Sequence, residues 1–132
     1  MEKLRPRVLL ADDFPSLLAA WRRLLTPTCD VVGEVSDGGA VLREAGDLHP
    51  DVVVIDISMP DMTGLDVCRA IKTVLPSLRV ILVTADGNRQ LAEAAFRAGA
   101  SAFVLKQSAG DELPLAIDSV MSGATYCTPF DV

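Results

Sequence analysis

Five side chains in this 132-residue sequence have types and neighbours suited to one chemistry. Asp12 and Asp13 follow the apolar run Val8-Leu9-Leu10-Ala11, and Asp56 ends the run Val52-Val53-Val54-Ile55. Thr84 follows Val80-Ile81-Leu82-Val83, and Lys106 follows Ala102-Phe103-Val104-Leu105. If those runs end side by side, three carboxylates, one hydroxyl and one ammonium share an edge. Two carboxylates about 5 Å apart repel by roughly 3 kcal/mol at an effective dielectric near 20. Three together therefore need a cation or raised pKa values. Carboxylate oxygens are hard ligands that suit Mg²⁺. An Asp beside such an ion can act as a nucleophile toward phosphorus, with Lys106 neutralising the charge that develops and Thr84 donating to a phosphoryl oxygen.

The elements that must position these groups are legible as periodicity. Val31-Val32-Gly33-Glu34-Val35 joins the four runs above to make five short apolar segments. Several are β-branched and almost none alternate with polar residues, the pattern of strands covered on both faces, hence parallel. Between them lie stretches with helical spacing. The first, after Pro15, carries Leu17, Leu18, Trp21, Leu24 and Leu25. The second carries Val41, Leu42, Ala45 and Leu48 and stops at His49-Pro50, where His49 reads as a helix-end group. A third runs from near Leu65 to Leu75, and a fourth carries Leu91, Ala92, Ala95 and Phe96 and closes at Gly99, suited to a left-handed cap. The fifth is expected to begin with a capping box from Ser108 to Asp111, which puts Pro114 in the tolerant first turn.

Five alternating units of this kind predict an α/β fold, a doubly wound five-stranded parallel sheet in the order 2-1-3-4-5 with helices on both faces. Ligands of such sheets bind outside the carboxyl ends of the strands, where strand order reverses. That edge is where the five groups stand.

Composition narrows the function classes. Lys and Arg number 12 against 18 Asp and Glu, a net charge of -6 with no basic run, which argues against direct nucleic-acid binding by this chain. Cys29, Cys68 and Cys127 lack any metal or redox spacing and read as small buried apolar residues in a reducing cytoplasm. The stretch Met1–Pro6 is too polar for a signal peptide, and no apolar run approaches the roughly 20 residues of a membrane span. A cytoplasmic protein without membrane contact is expected.

Taken singly, each group has a plainer reading: Asp12-Asp13 as a helix cap, Thr84 as a strand residue, Lys106 as solvated, Phe103 as core, Asp61 as part of a solvated loop. Their joint placement points elsewhere. The set Asp12, Asp13, Asp56, Thr84 and Lys106, with the turn Met59-Pro60-Asp61-Met62-Thr63-Gly64, resembles the receiver (CheY-like) domain of two-component response regulators over nearly the whole chain.

The resemblance implies that Asp56 accepts a phosphoryl group from a sensor histidine kinase, stoichiometrically and with slow self-dephosphorylation rather than turnover. Asp12, Asp13, Asp56 and the Ser58 backbone carbonyl would hold Mg²⁺. Thr84 and Lys106 would read the phosphoryl group, Thr84 and Phe103 would switch, and Ser58 and Asp86 would tune hydrolysis. Gln107 stands where many receivers have proline, and Ala116–Pro129 is similar to the way NarL/FixJ receivers run into a linker. The expectation is a receiver over 1–124 and the start of a linker over 125–132, leading to a C-terminal helix-turn-helix output domain. A homodimer is compatible with the resemblance. A haloacid dehalogenase-type phosphatase would place a second Asp two positions beyond the nucleophile, where this chain has Ser58.

Overall fold

A computed structural model describes residues 5–129. Expectations about residues 1–4 and 130–132, at the amino terminus and the far end of the linker, lie outside the described residues. The chain runs β1 (Arg7–Ala11), α1 (Pro15–Leu25), β2 (Asp30–Val35), α2 (Gly38–Leu48), β3 (Val52–Asp56), α3 (Gly64–Val74), β4 (Arg79–Thr84), α4 (Arg89–Arg97), β5 (Ala102–Leu105), a 3₁₀ turn (Lys106–Ser108), α5 (Ala109–Met121) and β6 (Tyr126–Cys127). All strand pairs are parallel, in the order β2-β1-β3-β4-β5-β6. The expected five-stranded order is present, and a sixth strand extends it.

Strand alternation divides the core into two layers. Leu9, Ala11, Val53, Ile55, Val80, Leu82 and Phe103 pack with Val41 and Ala45 of α2, Val67, Cys68 and Ile71 of α3, and Ala92 and Ala95 of α4. Val8, Leu10, Val52, Val54, Ile81, Val83, Ala102 and Val104 pack with Leu18, Trp21 and Leu25 of α1 and Leu113, Ala116, Ile117 and Val120 of α5. Because both sheet faces are covered, β3 is buried at every residue, including Asp56 at its end. Strand order reverses at β1, flanked by β2 and β3, and this sets the crevice at the carboxyl ends of β1 and β3.

Local chemistry starts and stops the helices where the sheet requires. Asp37, Thr63 and Asn88 cap α2, α3 and α4 by accepting the amides of Ala40, Asp66 and Leu91. His49 ends α2 in the left-handed region at φ 49°, and Gly99 follows α4 at φ 107°.

Three expectations need correction. Ser108 makes no side-chain cap: the chain leaves β5 through a 3₁₀ turn, so Ser108 is already helical (φ -101°, ψ -4°) when α5 begins. Pro114 is the sixth residue of α5, inside the helix and past its first turn, where it deletes an intrahelical hydrogen bond; the burial of Leu113, Ala116, Ile117 and Val120 carries the helix through it. Cys127 is exposed, unlike Cys29 and Cys68, because β6 is an edge strand.

Candidate functional site

The carboxyl ends of β1, β3 and β5 deliver the expected cluster. One oxygen from each of Asp12, Asp13 and Asp56 lies within 4.8 Å of the others. Asp12 is fully buried and Asp56 is 2% exposed, whereas Asp13 faces solvent. Lys106 Nζ lies 3.0 Å from Asp12 Oδ2 and 3.2 Å from Asp56 Oδ2, so a single ammonium bridges the two buried acids. Asp12 Oδ1 accepts the Phe14 amide at 2.8 Å, and Asp56 Oδ1 accepts the Ser58 amide at 3.2 Å. Both carboxylates are thereby oriented by the backbone that follows them.

The electrostatics follow from burial against charge. Desolvation pushes the Asp12 carboxyl above its ordinary value; the Phe14 amide and Lys106 oppose this, and the neighbouring Asp56 charge reinforces it. Burial alone would depress the Lys106 ammonium, but the Asp12 and Asp56 carboxylates outweigh it and hold the group above its ordinary value. One cation for three acids leaves the cup negative. Asp12 Oδ2, the oxygen facing Lys106, makes that charge contact without an aligned hydrogen bond. A buried carboxylate oxygen short of donors, beside two more hard oxygen ligands, fits a small divalent ion such as Mg²⁺.

Thr84 ends β4 at 3% exposure; its hydroxyl accepts the Asp86 amide at 3.2 Å, and its Cα pairs with Leu105. It therefore lies between the strand of Asp56 and the strand that leads to Lys106. Ser58 and Asp86, each two residues past a strand end, are exposed. Phe103 is not at the rim. It is fully buried in the layer that faces α2, α3 and α4, two residues before Leu105 on the same strand.

The turn after β3 is built tightly. Ser58 and Thr63 form an antiparallel bridge, and the Gly64 amide donates to the Ile57 carbonyl at 2.8 Å. A Cβ at Gly64 would stand 2.8 Å from Ile57 Cα and 3.0 Å from the Asp56 carbonyl oxygen, so the residue must be glycine for α3 to start this close to the site. Asp61 is exposed in this loop, as expected, but it is not idle: its carboxylate accepts the Gly38 and Gly39 amides at 2.7 and 3.0 Å, tying this turn to the start of α2. Those two amides hold the carboxyl below its ordinary value.

Sequence reasoning also missed Phe14. It is 58% exposed at the start of α1, and its ring centroid lies 5.6 Å from Lys106 Nζ, a cation–π contact at the mouth of the cup. The signal was its place directly after the paired aspartates, but nothing local gives its distance from residue 106.

Comparison with known proteins agrees with this geometry. Residues 8–118 match the family model described as response regulator receiver domain. The transcriptional regulatory protein YxjL of Bacillus subtilis is 31% identical over 94% of this chain and 56% of its own length. The DNA-binding transcriptional activator DevR/DosR of Mycobacterium tuberculosis is 33% identical over 89% of this chain and 55% of its own length. The chain thus spans about half the length of these relatives. Among solved structures, a LuxR-family two-component response regulator from Aurantimonas superposes with TM-score 0.91 at 33% identity, covering 96% of this chain and 91% of that one.

Proposed function

The chain belongs to the response regulator receiver domain family, and from that premise we propose that Asp56 is its phosphoacceptor and that a sensor histidine kinase is the donor. The supporting observation is the Lys106 ammonium lodged between Asp12 and Asp56, with the Asp13 carboxylate beside them. In the transfer, an Asp56 carboxylate oxygen forms a bond to phosphorus while the bond from phosphorus to the donor imidazole nitrogen breaks, and the electron pair leaves with the imidazole. Lys106 follows the charge onto the phosphoryl oxygens. Thr84, with a buried hydroxyl next to β5, donates to one of those oxygens once the group is in place.

Asp12, Asp13, Asp56 and the Ser58 backbone carbonyl are the proposed Mg²⁺ ligands. When bound, the ion supplies charge neutralisation that the lone ammonium cannot complete. The phosphorylated state is read by Thr84 and by Phe103, which is held in the core layer under α4. Ser58 and Asp86 flank the approach of water to the phosphoryl group and set its lifetime.

No helix among the described residues is long and apolar enough to cross a membrane, in keeping with action in the cytoplasm. The receiver is proposed to occupy 1–124, with 125–132 leading toward a DNA-binding output domain of the kind named for DevR/DosR. The test is incubation with acetyl phosphate and Mg²⁺ followed by intact mass measurement. Wild type is expected to gain one phosphoryl group and Asp56→Asn none; equal gain by both rejects Asp56.

A further inference from the structure

The segment after α5 is bonded to β5 beside the phosphoacceptor site. Glu112, in the first turn of α5, accepts two hydroxyls on Oε1: Tyr126 at 2.8 Å and Thr128 at 2.7 Å. The Thr128 hydroxyl in turn accepts the Leu105 amide at 3.1 Å, and the Thr128 amide donates to the Phe103 carbonyl at 2.9 Å. Thr128 is only 4% exposed although it lies near the end of the described chain. These bonds bracket Val104 and stop one residue short of Lys106.

We propose that Glu112, Tyr126 and Thr128 form a clip that positions the end of β5, with Phe103 and Lys106, in the resting state, and that filling the phosphoacceptor site opens it. This rests on the phosphoacceptor reading of Asp56. The coupling is steric and covalent. Lys106 Nζ now lies 3.2 Å from Asp56 Oδ2, within the space a phosphoryl group on that carboxylate would claim. The ammonium must shift from the Asp56 carboxylate onto the phosphoryl oxygens, and Lys106 begins the 3₁₀ turn that leads directly into α5. Movement there shifts Glu112 relative to Leu105, the two ends across which the Thr128 hydroxyl is stretched. The segment Tyr126–Thr128 therefore senses the state of the site through these four hydrogen bonds and passes it to whatever follows in the chain. Burial and the Glu112 carboxylate raise the Tyr126 phenol to about 12, in keeping with a closed clip at neutral pH.

Coupling is reciprocal, so loosening the clip must favour whatever opens it. The probe is beryllofluoride with Mg²⁺, titrated calorimetrically into this chain. Thr128→Val, which keeps the shape but loses the hydroxyl, is expected to bind beryllofluoride roughly three- to tenfold more tightly than wild type, the range set by one or two hydrogen bonds. Thr128→Ser should match wild type. Tyr126→Phe, which touches only the outer bond, should shift affinity in the same direction by less and serves if Thr128→Val does not fold. In wild type, the Leu105 amide should exchange with deuterium faster once beryllofluoride is bound. Equal or weaker binding by the variants, or unchanged exchange at Leu105, overturns the clip while leaving the receiver reading intact. Absence of saturable beryllofluoride binding by wild type overturns both.

Discussion

The Lys106 ammonium lies 3.2 Å from Asp56 Oδ2 although the two residues are 50 positions apart, and the same nitrogen contacts the fully buried Asp12. One cation thus compensates two desolvated carboxylates. Lys106→Ala should lower the unfolding free energy by about 2–3 kcal/mol in EDTA, because it leaves buried acceptors unpaired. Mg²⁺ should recover more stability in this variant than in wild type, since the ammonium no longer competes for the carboxylates. Denaturation curves with EDTA and with MgCl₂ measure both; equal stability of variant and wild type in EDTA would deny the lysine this role.

The contact between the Phe14 ring and Lys106 Nζ is testable by a double-mutant cycle on Phe14→Leu and Lys106→Met. A coupling of about 0.5–1 kcal/mol is expected for an exposed cation–π pair. Additive losses would show that the ring and the ammonium are merely neighbours.

At Gly64 a methyl group would meet backbone atoms of Asp56 and Ile57, which cannot swing away as a side-chain tip would. Gly64→Ala should therefore cost about 1–3 kcal/mol through backbone displacement. Because one of those atoms is the Asp56 carbonyl oxygen, the variant should also take up phosphoryl from acetyl phosphate more slowly. An unperturbed melting temperature would contradict the packing argument.

The pH dependence of Asp61 has a fixed sign. Its carboxyl is held below the ordinary value of 3.8 by the Gly38 and Gly39 amides, so the ionised form contributes stability that is fully present above pH 3.8 and is lost as pH falls through the depressed value. Asp61→Ala should melt below wild type at neutral pH, and the two curves should converge under more acid conditions. A gap that stays constant from neutral pH to below 3.8 would show that the carboxylate does not act on the start of α2.

Much of this protein was legible in the sequence because its strands are covered on both faces. Val52–Ile55 and Val80–Val83 are continuous apolar runs for that reason, and the helical stripes between them imply parallel crossovers; together these placed Asp12, Asp13, Asp56, Thr84 and Lys106 at one edge. What local pattern could not carry is any partnership set by topology. Asp61 and the α2 amides are 22 and 23 residues apart, and Phe14 meets Lys106 only because β1 and β5 end at the same rim. Nor can a two-residue strand express a period, so β6, the exposure of Cys127 and the Glu112 clip were invisible until the end of α5 was fixed against β5. The depth of Pro114 is a matter of counting: α5 starts at Ala109, directly after the expected cap position Ser108, so Pro114 is its sixth residue and already past the first turn. The sequence by itself determined which chemical groups gather, through periodicity and burial; only the tertiary structure decided which of them touch, because contact depends on strand order and on where each turn ends.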